Sequence, residues 1–198
     1  FGVILLWNPQ AQVFQPQAVW GPALADRAAV LAMRLEPGES VTGRGFAENK
    51  ARLLETETAV AAEKSSLRPA NLLALTHAYG RDILPRSLIA APITAGQEKY
   101  GVLVLETLRG LLTFAPGDVP FVQALADLIG LEIDRMRLDA AAAASREAHE
   151  ANRLRTEILA TLSHEMRTPL AAIKGYATAL LLEEVTWSPD KSREFLQL

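Results

Sequence analysis

SLIAAPITAGQEKYGVLVLE, residues 87–106, decides the architecture. Its two ends, SLIAAPI (87–93) and YGVLVLE (100–106), are aliphatic runs of strand length, and the intervening T-A-G-Q-E-K is a hairpin-length connection containing glycine. The stretch predicts an antiparallel pair. Pro92 cannot donate to a strand ladder, which predicts that it lies near an edge or a bulge.

Working toward the N-terminus, GVILLW (2–7) and VFQPQAVW (13–20) flank a turn-rich N-P-Q-A-Q and predict a second antiparallel pair. A short helix is expected across 23–33. In LEPGESVTGRGFAENKARLLETE (35–57), Pro37-Gly38, Gly43 and Gly45 read as loop punctuation, Phe46 to Lys50 as one helical turn and Arg52 to Thr56 as a strand. Residues 66–79 read as a helix or an irregular lid. Strands and helices mixed in this order give an α+β class.

Toward the C-terminus the character changes. From Pro116-Gly117-Asp118 to Leu182 the helix breakers are Pro120, which fits a first turn, Gly130 and Pro169, and the run includes the alanines 140–144. One very long helix, or two in series, is predicted. Ile129, Ile133, Met136, Ala140 and Ala143 are spaced four, three, four and three, the seam of a coiled coil. A second seam takes Leu159, Met166, Ile173 and Leu180 with Leu162, Pro169 and Tyr176, and the two are out of phase. A register slip near 144–155 follows, either a torsional switch or a plain hydrophilic linker. Ser188-Pro189-Asp190 is a helix start, making 183–188 a connection and 189–198 a returning helix.

Composition narrows the function. At 198 residues, with 49% apolar and 22% charged residues, the chain has room for a core and an appendage. A net charge of −3 without any basic stripe argues against nucleic acid. The absence of cysteine excludes disulfides, thiolate metal sites and a thioether-tethered chromophore, and three histidines in separate regions leave no ligand set for structural zinc. No apolar run approaches the roughly 20 residues that span a bilayer. A soluble, cytoplasmic segment of a longer protein is expected.

SHEMRTPL, residues 163–170, carries the chemistry. His164-Glu165 opens like the zinc-protease pattern His-Glu-x-x-His, but Thr168 stands where the second imidazole is required. In the second register His164 faces away from the seam and Thr168 shares its helical face, while Pro169 removes an amide one turn below. An exposed imidazole beside a carboxylate can act as a nucleophile toward phosphorus, with Glu165 taking a proton from one ring nitrogen. A surface His-Glu pair is more often inert.

Ser163-His164-Glu165-Met166-Arg167-Thr168-Pro169-Leu170 resembles the phosphoacceptor box of sensor histidine kinases, and its flanks LRTEILATL and AAIKGYATALL resemble the first helix of their dimerisation and phosphotransfer hairpin. The resemblance implies that His164 is autophosphorylated, that Glu165 is its acid/base partner and that Thr168 helps position water for the phosphatase reaction. It implies a homodimeric four-helix bundle, an ATP-binding domain that these residues lack, and a response-regulator receiver domain as partner. LEPGESVTGRGFAENKARLLETE, LIAAPITAGQEKYGVLVLE and FAPGDVPFVQALADLIGLEI resemble, in order, a GAF sensor domain, which implies an antiparallel sheet with helices on one side and a ligand pocket on the other. The expected organisation is a GAF-like sensor domain at 1–135, a coiled-coil linker helix at 136–152 and an incomplete phosphotransfer hairpin at 153–198.

The ligand of such a pocket is not legible, and covalent bilin is excluded with cysteine. Trp7, Trp20, Phe46, His77 and Tyr79 are the candidate lining residues, although Trp7, Trp20 and Phe46 fit the core better by their positions in strands and a turn. His77 is a weak candidate for haem, and His149 is read as solvated surface. The competing functional reading is a non-catalytic regulatory dimer in which SHEMRTPL is a vestigial surface.

Overall fold

The computed structural model describes residues 1–21, 26–80, 85–108 and 112–180. The elements in chain order are β1 (Gly2–Asn8), β2 (Val13–Trp20), α1 (Arg27–Leu31), α2 (Ser40–Glu48), β3 (Arg52–Leu54), α3 (Glu57–Lys64), α4 (Pro69–Tyr79), β4 (Ser87–Ala95), β5 (Glu98–Thr107) and α5 (Val119–Leu180). The strands form one antiparallel sheet in the order β2-β1-β5-β4-β3. The chain is thus α+β, with the 87–106 hairpin at its centre. Contacts divide it into two compact units, Phe1–Leu138 and Asp139–Leu198.

Alternation along β4 and β5 sends side chains to two buried faces. Leu88 and Ala90 of β4 and Val102 and Val104 of β5 join Val3, Leu5, Phe14, Val30, Leu35, Val41 and Val60 in one core. Ile89, Ala91, Ile93 and Leu103 turn the other way, onto Val122 and Ala126 of α5. Burying each large aliphatic side chain contributes roughly 1.5–3 kcal/mol. The hairpin is tighter than the sequence reading, because Ala95 pairs with Glu98 across Gly96-Gln97, with Gly96 at φ +59°. Pro92 lies in an interior strand, but β3 pairs only with Leu88–Ala90, so Pro92 sits where β4 has lost that neighbour, next to an irregularity between Ile93 and Thr94.

Three expectations are corrected. The stretch around Gly43 and Gly45, read as loop with one helical turn from Phe46 to Lys50, is helix α2 from Ser40, ending at Asn49 in the left-handed conformation. A Cβ at Gly43 would lie 1.7 Å from the Pro37 carbonyl oxygen, so this glycine marks a close helix approach and not a break. Helix α3 was not foreseen; Thr56 caps it by accepting from the Ala59 amide at 3.2 Å, and Glu57 and Lys64 oppose its dipole at the two ends. Ile129 and Ile133 pack on the sheet and are not available to a partner helix. Another stripe in the same part of α5, Phe121, Ala124, Leu128, Leu131 and Leu138, is exposed at coiled-coil spacing.

Gly130 explains how α5 lies so close to the sheet: a Cβ there would come within 2.2 Å of the Thr94 carbonyl oxygen. Asp118 starts the helix by accepting from the Ala115 amide at 2.8 Å after a single 3-10 turn, Pro116–Asp118. Helix α5 is assigned through Pro169 to Leu180. Of the helix expected across 23–33, residues 23–25 are outside the described residues, as are the connection at 183–188 and the returning helix at 189–198.

Candidate functional site

Two places carry chemistry, one in each unit. In the second, His164, Glu165 and Thr168 are all exposed on α5. His164 and Thr168 are four residues apart and share a face, whereas Glu165 projects about 100° around the helix from His164. No hydrogen bond joins Glu165 to the imidazole among the described residues, so the carboxylate does not fix the ring tautomer in this conformation. The imidazole is open to an incoming molecule. Around it Leu159, Leu162, Met166, Leu170 and Ile173 are also exposed, each about half or more. An isolated helix with such a stripe lacks the cover that stabilises long helices in water.

In the first unit, α1, α2, α3 and α4 stand over one face of the sheet and enclose a cavity of about 50 Å³. Most of its wall is aliphatic, including Val3, Leu5, Val30, Met33, Val41 and Val60. Ser40, Thr42 and Glu63 add polar groups to the wall, and beside them lies a cluster of buried groups, Lys64, Tyr79 and Glu106. The Tyr79 hydroxyl donates to Glu106 Oε2 at 2.5 Å, and Lys64 Nζ stands 3.6 Å from Glu106 Oε1 and 4.3 Å from the centre of the Tyr79 ring. Among the described residues Lys64 Nζ has no hydrogen-bond partner. Burial pulls the Lys64 ammonium below its ordinary value, against the opposing pull of the Glu106 carboxylate. Burial, and then the Glu106 charge, hold the Tyr79 phenol well above its usual range.

A second polar cluster fixes the rim. Glu39 Oε1 accepts from the Arg68 amide at 2.7 Å and from Asn71 Nδ2 at 2.9 Å, and Glu39 Oε2 accepts from the Glu36 amide at 2.7 Å and from Arg68 Nε at 3.1 Å. These bonds tie the start of α2 to the start of α4. The next residue, Ser40, lines the cavity with φ +54°, a conformation that serine rarely adopts.

Of the expected lining residues, only Tyr79 reaches the cavity. Trp7, Phe14 and Phe46 stack on one another with centroids 4.9–5.6 Å apart, a core cluster, as the positions of Trp7 and Phe46 in the sequence favoured. Trp20 is 40% exposed at the sheet edge, and His77 is exposed on α4. His149 is exposed and contacts the Ser145 carbonyl. Glu106 was missed, yet its signal was present: Val102, Val104 and Glu106 alternate onto one face, and a carboxylate on a buried face needs a partner.

No three His, Cys, Asp or Glu residues cluster to hold a metal among the described residues, and no described helix is long and apolar enough to cross a membrane. Residues 4–133 match the GAF domain model, and residues 154–198 match the model of the His Kinase A (phospho-acceptor) domain. The chain is similar to Sensor protein KdpD of Escherichia coli (33% identical over 105 residues, 52% of this chain and 12% of that protein). It is similar to the circadian input-output histidine kinase CikA of Thermosynechococcus vestitus (26% over 132 residues, 57% of this chain and 18% of that protein). A shorter match is to Sensor protein GacS of Pseudomonas syringae (45% over 56 residues, 28% of this chain and 6% of that protein). The chain therefore spans less than a fifth of these relatives. Among solved structures, the GAF domains of phosphoenolpyruvate-protein phosphotransferases share the fold, that from Coxiella burnetii at TM-score 0.51 and 20% identity (71% of this chain, 74% of that one) and that from Acinetobacter at 0.53 and 16% (69% and 72%). A five-stranded antiparallel sheet roofed by helices over a cavity, followed by an exposed histidine on a long helix, fits both matches: the chain belongs to the GAF domain family and carries a His Kinase A phospho-acceptor domain after its GAF domain.

Proposed function

We propose that this chain is the sensory and phospho-acceptor portion of a two-component sensor histidine kinase that works as a homodimer in the cytoplasm. The single observation that carries the reading is the exposed imidazole of His164 within the residues matching the phospho-acceptor domain. One ring nitrogen attacks the γ-phosphorus of ATP held by a separate ATP-binding domain. The N–P bond forms as the bond to the bridging oxygen breaks, ADP leaves, and the proton on the ring passes to Glu165. That carboxylate reaches the ring by turning about its own side-chain torsions. A receiver-domain aspartate then attacks the phosphorus, the N–P bond breaks and the imidazole recovers a proton. Thr168, on the same face, orients water for hydrolysis in the phosphatase direction.

The exposed stripe Leu159, Leu162, Met166 and Ile173 supports a partner helix from a second copy, and the free stripe Phe121 to Leu138 supports pairing further up α5. A change sensed over the sheet then reaches His164 along one continuous helix, through the register slip at 144–155.

The test is to incubate the full-length protein with γ-labelled ATP and measure acid-labile, base-stable label. Label is expected in the wild type and in His149→Gln, and none in His164→Gln. Label that persists in His164→Gln overturns the site, and unlabelled wild type favours a non-catalytic regulatory dimer.

A further inference from the structure

The cavity over the sheet holds a charged group without a hydrogen-bond partner among the described residues. Lys64 Nζ is buried, lines the cavity and lacks a hydrogen-bond partner, although each of its three N–H groups needs one. Glu106 Oε2 accepts from Tyr79, while Oε1 faces Lys64 at a distance too long for a hydrogen bond, 3.6 Å. The cavity wall thus offers the unbonded Lys64 ammonium beside the Glu106 carboxylate, in a lining that is mostly aliphatic and has Ser40, Thr42 and Glu63 as its other polar residues besides Tyr79.

Charge decides which molecule fits. Lys64 and Glu106 already neutralise each other, and Glu63, the other charged lining residue, is paired with Arg44, so a carboxylate or an amine entering the cavity would leave one uncompensated charge in a low-dielectric site, which is costly. A neutral head with an acceptor next to a donor answers both spare groups and adds no charge. Size decides the rest: a water needs roughly 10–15 Å³ of such space, so about 50 Å³ holds a chain of roughly four or five non-hydrogen atoms.

We propose that the cavity bounded by Lys64, Tyr79 and Glu106 is a binding site for a small neutral molecule with a short aliphatic body and an amide-like or hydroxyl head. The head accepts from Lys64 Nζ and donates to Glu106 Oε1, and the body lies against Val3, Val41 and Val60. The left-handed Ser40 and the Glu39 cluster hold the start of α2 over this space and keep it open. This inference concerns the first unit and stands whether or not His164 is phosphorylated.

The experiment follows thermal unfolding of the chain with added propionamide or 1-propanol, and with propionate and propylammonium as charged counterparts of the same length. Propionamide is expected to raise the Tm saturably, by a few degrees at concentrations well above its Kd, with propanol weaker and both ions without effect. Lys64→Met strands the Glu106 carboxylate, so the decisive variant is Lys64→Met/Glu106→Gln, which removes both charges together. It is expected to stay folded and to lose at least tenfold in propionamide affinity. Three results overturn the proposal: equal affinity in the double variant, tighter binding of either ion than of the amide, or no saturable shift with propionamide or 1-propanol up to molar concentration.

Discussion

The two units use apolar residues in opposite ways. Around the sheet, Ile89, Ile93, Leu103 and Val102 are fully buried, whereas Leu159, Leu162, Met166 and Ile173 on α5 are exposed by about half or more. The same residue types occur in both, so composition does not distinguish them. Closure does. A sheet roofed by helices on one face and by α5 on the other satisfies its apolar surface within one chain. A single helix cannot, and the apolar residues near His164 make sense only when something else covers them. On the proposed reading, the sheet of the first unit is stable alone, while the exposed stripes of α5, from Phe121 to Leu138 and around His164, depend on association.

The largest expected effects probe that contrast directly. Leu103→Ala removes a fully buried side chain from the second core and is expected to destabilise the first unit by about 2–5 kcal/mol, read as a lower midpoint in urea at every protein concentration. Leu162→Ala, at an exposed position, is expected to leave that transition in place and to weaken self-association instead, read as a faster fall in dimer mass on dilution by light scattering or sedimentation. If Leu162→Ala lowers the midpoint by as much as Leu103→Ala while the protein stays monomeric, the contrast fails.

Two glycines in α5 sharpen it further. A Cβ at Gly130 meets the Thr94 carbonyl oxygen at 2.2 Å, while at Gly175 nothing lies within 4 Å. Gly130→Ala is therefore expected to cost about 1–3 kcal/mol through overpacking against the sheet. Gly175→Ala is expected to stabilise helix α5 by about 0.5–1 kcal/mol, because alanine loses less backbone entropy. Circular dichroism during thermal unfolding separates the two; a loss at Gly175 would mean that something packs there.

How much of this the sequence disclosed depends on whether a feature is local. Period-2 alternation is local, so β4 and β5 could be read directly, as could SHEMRTPL, a continuous motif on one helix. The α5 stripe was only half legible: periodicity finds an apolar face, but Ile129 and Ile133 and the set Phe121, Leu128 and Leu131 both satisfy it, and only the sheet decides which set is buried. Helix α3 escaped because eight residues are marginal as a helix without the tertiary burial of Val60 and Lys64. The cavity was missed in the sequence because its groups come from all four helices α1–α4 and from β1, β2, β4 and β5. Aromatic side chains point to Tyr79, which does reach the cavity, but a Lys and a Glu far apart in the chain carry no local sign that they meet there.

The smallest effect concerns the rim that separates the cavity from solvent. Burial pushes the Glu39 carboxyl up, but the amides of Arg68 and Glu36, the Asn71 side chain and the Arg68 charge together bring it below the ordinary value of 4.5. A carboxyl lowered by folding contributes stability that is fully present above that ordinary value and is lost as pH falls through the folded one. One proton linked to unfolding limits the slope to about 1.4 kcal/mol per pH unit. Glu39→Gln replaces an acceptor with a donor facing donors, so it is expected to lower stability at pH 7 and to flatten the acid limb relative to wild type. Urea midpoints from pH 7 to pH 3 for the two proteins isolate this group from the other carboxylates, which titrate in both. Parallel acid limbs would mean that Glu39 contributes nothing to acid sensitivity, and that the start of α2 is held over the cavity by packing and not by its charge.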